Sequence, residues 1–145
     1  PAVLSRKKSA ASLEAAPALK KKRILIMDDE IFVRTVAGEM LTHMGFEVEY
    51  TGDGQEAVDA YRTAMEAGND FSLVILDLFV TGGTGGEEAM QKLLDIDPHI
   101  KGIVSTGFWD DPVARQYRHY GFQEVIQKPF SMEQLSEVIR RVLNE

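Results

Sequence analysis

Cysteine is absent from the 145 residues, so the chain has no disulfide framework and no thiolate chemistry, which fits a reducing, cytoplasmic compartment. An excess of positive charge is absent too: 16 Lys and Arg stand against 23 Asp and Glu, for a formal charge of −7. Nonspecific nucleic-acid binding needs a basic face to neutralise phosphates, so no direct nucleic-acid role is expected and a cation is the more natural partner. No apolar run approaches the roughly 20 residues that cross a bilayer as a helix, and no signal peptide is visible, so membrane insertion by this segment is not expected. The opening Pro1 reads as the start of a segment excised from a longer protein. What is present is ordinary for a globular protein, 44% apolar and 27% charged, in a length suited to one domain plus a tail.

Residues 1–22, rich in Ala, Ser and Lys, read as a linker or disordered tail, and Lys20-Lys21-Lys22-Arg23 as a solvated flank. One domain is expected over 23–145. Within it there is no internal repeat and no low-complexity stretch. Leu73-Val74-Ile75-Leu76 is a continuous apolar run, the pattern of a strand buried on both faces between two helical layers. Similar runs place strands over 24–27, 46–50, 100–105 and 123–126. Between them, Val33, Val36, Ala37, Met40, Leu41 and Met44 recur at helical spacing ahead of Gly45, and Asp53 caps a helix carrying Ala57, Ala60, Tyr61, Ala64 and Met65. A third helix is expected from Glu87 to Leu94, a fourth opening at Asp111-Pro112, and a fifth opening at Ser131 and Gln134 in capping-box spacing. Five β/α units imply an α/β fold, a flavodoxin-like (βα)5 doubly wound parallel sheet in strand order 2-1-3-4-5.

In that order strands 1, 3, 4 and 5 are neighbours, and their carboxyl ends share the rim where open α/β sheets build sites. Strand 1 ends in Asp28-Asp29, strand 3 in Asp77, strand 4 in Ser105-Thr106, and Lys128 follows strand 5. Three carboxylates at close quarters repel and invite a hard divalent cation, for which Mg²⁺ is suited. A carboxylate oxygen left free can attack phosphorus and form an aspartyl phosphate. The metal, Lys128 and a strand-4 hydroxyl would neutralise the charge on the phosphoryl oxygens in a loose transition state.

These residues, in this order, resemble the receiver domain of two-component response regulators over roughly 23–144. The motifs are the acidic pair in Ile26-Met27-Asp28-Asp29-Glu30, Val74-Ile75-Leu76-Asp77, the hydroxyl in Ile103-Val104-Ser105, and Lys128-Pro129-Phe130. The resemblance implies a phosphorylation-dependent switch in which Asp77 accepts the phosphoryl group from a phosphohistidine and later loses it by hydrolysis. It further implies Asp29 as a direct Mg²⁺ ligand, Asp28 as a ligand mostly through water, and the backbone carbonyl of Phe79 as another. Lys128 would pair with the phosphoryl group ahead of a cis Lys128-Pro129 bond. Ser105 is the chosen switch hydroxyl and Thr106 its alternative, since a one-residue shift changes which faces the site. Implied partners are a histidine kinase or a histidine phosphotransfer domain, with a homodimer through the fourth and fifth units as a further expectation. The run Asp77-Leu78-Phe79-Val80, together with Ser105-Thr106-Gly107-Phe108, resembles receivers at the C-terminus of hybrid sensor histidine kinases. Two positions depart from the family pattern: Thr81 stands where proline is usual, and Val125 where an aromatic ring is usual.

Two other functions compete. One is a receiver-shaped interaction module that does not switch, motivated by Thr81 and Val125. The other is a small-molecule aspartate phosphatase, less favoured because such enzymes place nucleophile and acid two residues apart on one strand end, whereas Asp28 and Asp29 are adjacent. A nucleotide loop at Gly82-Gly83-Thr84-Gly85-Gly86 is disfavoured: Glu88 stands where the dinucleotide fingerprint needs its third glycine, and no Gly-Lys-Ser/Thr occurs. His43, His99 and His119 have no ligand spacing, and Trp109 reads as a loop residue near the site rather than part of it.

Overall fold

The computed structural model describes residues 21–144, so most of the expected tail, residues 1–20, lies outside the described residues. The elements alternate: β1 (Arg23–Met27), α1 (Ile31–His43), β2 (Glu47–Thr51), α2 (Gly54–Glu66), β3 (Leu73–Asp77), α3 (Gly86–Ile96), β4 (Gly102–Thr106), α4 (Pro112–Arg115), a 3₁₀ turn (Tyr117–Tyr120), β5 (Glu124–Gln127) and α5 (Met132–Leu143). All strand pairs are parallel and the order is β2-β1-β3-β4-β5, the flavodoxin-like arrangement.

Side chains alternate across a strand, so each central strand feeds two cores. Leu25, Met27, Val74, Leu76 and Val104 pack on one face with Ala57, Tyr61, Met90 and Leu93 of α2 and α3. Ile24, Ile26, Leu73, Ile75, Ile103 and Ile126 pack on the other with Ala37 and Leu41 of α1 and Leu135, Ile139 and Val142 of α5. Each such Leu or Ile contributes about 1.5–3 kcal/mol of burial, which is why β3 is apolar without interruption up to Asp77. β2, at the edge, carries Glu47 and Glu49, each 3.0 Å from Arg23 on β1.

The expected caps form. Asp53 Oδ1 accepts from Glu56 N at 2.9 Å, Asp111 Oδ1 from Val113 N at 2.8 Å, and Ser131 with Gln134 makes the reciprocal capping box. The fourth helix is a single turn of four residues, because Gln116 leaves helical geometry at φ −123°, ψ 41° and the chain continues as the 3₁₀ turn. The glycines before α3 have a packing reason. A Cβ at Gly85 would lie 2.6 Å from the Leu78 carbonyl oxygen, and one at Gly86 2.7 Å from that of Asp77. Only glycine lets α3 start this close to the end of β3.

Candidate functional site

The carboxyl ends of β1, β3, β4 and β5 converge as their order requires. Asp28 follows β1 and is buried; its amide donates to the Thr51 carbonyl at 3.1 Å and its Oδ1 accepts from the Glu30 amide at 2.9 Å. Asp29 is half-buried, and its Oδ2 accepts from the Thr81 amide at 3.1 Å. Asp77 closes β3 with only 3% of its surface exposed. Carboxylate oxygens of Asp28, Asp29 and Asp77 all lie within 4.8 Å of one another, the one metal-capable cluster among the described residues. Lys128 Nζ sits between two of them, 3.1 Å from Asp28 Oδ2 and 3.1 Å from Asp77 Oδ1. The Lys128-Pro129 bond is cis.

The charges are unevenly stabilised. Burial, and then the charge of Asp28, push the Asp77 carboxyl up to about 6, although Lys128 pulls the other way. Burial penalises the Lys128 ammonium, but the Asp77 and Asp28 charges more than offset it and its pKa stands above the ordinary lysine value. A cluster with more negative charge than one lysine can balance is the electrostatic setting that a divalent cation relieves. A donor set made only of oxygens suits Mg²⁺.

Above Asp77 opens a cavity of about 310 Å³ whose walls include Asp29, Phe79, Thr81, Thr106, Phe108 and Lys128. The two strand-4 hydroxyls part here. Thr106 lines the cavity and its Oγ1 accepts from the Phe108 amide at 2.9 Å. Ser105 is buried in register with Asp77, its carbonyl accepting from the Leu78 amide at 2.9 Å, and it is not part of the cavity wall. Phe79 stands beside the cavity, half-exposed.

Some neighbours were not legible in the sequence. Arg34 Nη1, one helical turn into α1, donates to the Asp28 carbonyl at 3.1 Å. Phe108 lines one side of the cavity. Neither carries a local signal, because each reaches the site from a segment that only the fold brings there. Trp109 is half-exposed and outside the cavity wall, and no histidine joins the metal-capable cluster among the described residues. No helix among the described residues is long and apolar enough to cross a membrane.

Comparison with known proteins agrees with this geometry. The family model "Response regulator receiver domain" matches residues 24–140. A chemotaxis protein CheY of Treponema pallidum is 31% identical over 122 residues, covering 83% of this chain and 82% of that protein. Sporulation initiation phosphotransferase F of Bacillus subtilis is 22% identical over 125 residues, covering 86% of this chain and 96% of that protein. Among solved structures, the receiver domain of sensor histidine kinase PA1611 from Pseudomonas aeruginosa, with magnesium coordinated in its active site cleft, has the same fold. It aligns at TM-score 0.76 with 19% identity, covering 87% of this chain and 100% of that one. Receiver domains bind Mg²⁺ at an acidic pocket and interact with histidine kinases or phosphotransfer proteins. The chain belongs to the response regulator receiver family, the phosphorylation-dependent switches of two-component signalling.

Proposed function

We propose that Asp77 is the phosphoacceptor of this switch, that its donor is a phosphohistidine on a histidine kinase or a histidine phosphotransfer domain, and that Mg²⁺ is its cofactor. One observation carries the reading: a buried carboxylate at the end of β3 is held by an ammonium 3.1 Å away, and faces a cavity with room for a phosphoryl group. In the transfer, an Asp77 carboxylate oxygen bonds to phosphorus as the bond from phosphorus to the donor imidazole nitrogen breaks, and the electron pair leaves with the ring. Lys128 neutralises charge on the phosphoryl oxygens, and the Thr106 hydroxyl, which lines the cavity, donates to one of them. Water later attacks the same phosphorus and releases phosphate, restoring the carboxylate.

Asp28, Asp29 and Asp77, with the backbone carbonyl of Phe79, are the groups that would hold Mg²⁺. When bound, it supplies positive charge beside the transferred phosphoryl oxygens. The magnesium in the cleft of the Pseudomonas aeruginosa receiver supports this assignment. The finer setting, a cytoplasmic receiver at the C-terminus of a hybrid histidine kinase, is supported by the motif resemblance around Asp77 and Thr106.

The test is intact mass after incubation with acetyl phosphate, with and without Mg²⁺, beside Asp77→Asn. A Mg²⁺-dependent gain of one phosphoryl group that is absent in the variant is the expected result. No gain at saturating Mg²⁺ refutes the assignment and favours an interaction module that does not switch.

A further inference from the structure

The two acids that follow β1 are held very differently. Asp28 is buried and fixed from four sides: its amide donates to the Thr51 carbonyl at 3.1 Å, its carbonyl accepts from Arg34 Nη1 at 3.1 Å, Oδ1 accepts from the Glu30 amide at 2.9 Å, and Oδ2 meets Lys128 at 3.1 Å. Asp29 is half-buried, and its carboxylate has one polar partner among the described residues, the Thr81 amide at 3.1 Å from Oδ2. That donor comes from the loop between β3 and α3, 52 residues further along the chain. The loop is pinned around Thr81: the Leu78 carbonyl accepts from the Gly86 amide at 3.2 Å, and the Thr84 carbonyl from the Gly54 amide at 2.7 Å. Directly after Thr81 the chain turns at Gly82, whose φ of +72° is left-handed, a geometry that glycine adopts without strain.

A half-buried aspartate side chain samples staggered χ1 wells, and a fixed donor selects one of them. The Thr81 amide engages Oδ2 and leaves Oδ1 open to a cation. Because the donor is a main-chain N–H, the identity of residue 81 matters to this bond in one respect: every residue but proline supplies it. Thr81 stands where the family pattern has proline, and a proline there would leave the Asp29 carboxylate without its one partner. We infer that the Thr81 amide is a positioning donor for Asp29, setting that carboxylate for the divalent cation before the cation arrives, a role closed to a loop with proline at 81. The inference rests on Asp29 being a Mg²⁺ ligand.

Two measurements on the full chain test it. Calorimetric Mg²⁺ titration compares wild type with Thr81→Ala, which keeps the amide, and Thr81→Pro, which lacks it. Kd is expected to rise about threefold or more in Thr81→Pro, the factor for freeing a side chain held in one of about three wells, and to stay within about 1.5-fold in Thr81→Ala. Proline also stiffens the loop, which by itself favours binding, so a weakening reports the lost donor. In the metal-free protein in EDTA, amide hydrogen exchange followed by NMR should show Thr81 protected relative to Gly82 and Gly83, whose amides make no hydrogen bond among the described residues. Asp29→Ala should abolish that protection. The exchange comparison needs no proline and decides the case should Thr81→Pro not fold. An unchanged or tighter Kd in Thr81→Pro, an equal loss in Thr81→Ala, a Thr81 amide as fast as Gly82, or protection that survives Asp29→Ala overturns the inference while leaving Asp29 as a ligand. No Mg²⁺ binding by wild type, or full affinity in Asp29→Ala, overturns the metal reading as well.

Discussion

Replacing Asp77 by Asn should make the metal-free protein more stable, because the ionised carboxylate is held there against its own electrostatics. Its carboxyl is raised from 3.8 to about 6 by burial and by Asp28. At about 1.4 kcal/mol per decade of pKa, ionised Asp77 costs the fold about 3 kcal/mol near neutral pH. Water entering the open cavity screens part of that, so a gain of about 2 kcal/mol is expected for the variant, or about 8 °C in melting temperature for a domain of this size. Its pH dependence has a definite sign. Between the unfolded and folded values the native state binds the extra proton, so wild-type stability from this group is lost as pH rises from 4 through 6. The advantage of Asp77→Asn is therefore largest near pH 7 and shrinks to about a fifth of that near pH 4. Thermal unfolding by circular dichroism in EDTA at the two pH values measures it. An Asn variant that is no more stable than wild type at pH 7, or whose advantage grows on acidification, refutes the electrostatic reasoning.

Mg²⁺ should reverse that balance, stabilising wild type by about 2.7 kcal/mol at a hundredfold excess over its Kd while leaving Asp77→Asn and Asp29→Asn nearly unmoved, as read by melting temperature across a metal titration. Lys128→Ala removes the cation 3.1 Å from both Asp28 and Asp77. A loss of about 2 kcal/mol at pH 7 is expected in urea denaturation without metal, together with slower phosphorylation. Thr106→Ala should slow phosphoryl transfer from acetyl phosphate about 100-fold, in line with the loss of one transition-state donor, whereas Ser105→Ala should leave the rate within about threefold. Equal effects at the two positions would refute the placement of Thr106 as the site hydroxyl. Gly86→Ala pushes a methyl to 2.7 Å from the Asp77 carbonyl oxygen, so α3 must lift away from the end of β3. Denaturant unfolding should show a loss of about 2 kcal/mol, and isothermal calorimetry a weaker Mg²⁺ affinity.

Much of this was legible in the chain because its causes are local. Leu73 to Leu76 have the pattern of a strand buried on both faces, and five short strand segments alternating with helical spacing leave few topologies besides a doubly wound sheet. Asp53, Asp111 and Ser131 announce helix starts through bonds that span two or three residues. Once the strand order is given, Asp28, Asp29, Asp77 and Lys128 must share one rim, since parallel strands all end on the same side. Other features follow from distance and depth, which no spacing encodes. Whether Ser105 or Thr106 meets the cavity depends on how far β4 extends beyond its pairing with Asp77, and the register leaves Thr106 as the residue that reaches the opening. The single turn of α4, and the Phe108 ring set against Phe79, depend on what the loop after β4 can lean upon. The acidity of Asp77 is likewise a tertiary property: a carboxyl shifts upward only when folding strips its water and brings Asp28 near, two events separated along the chain by 49 residues and joined by one hydrogen-bonded pair of strands.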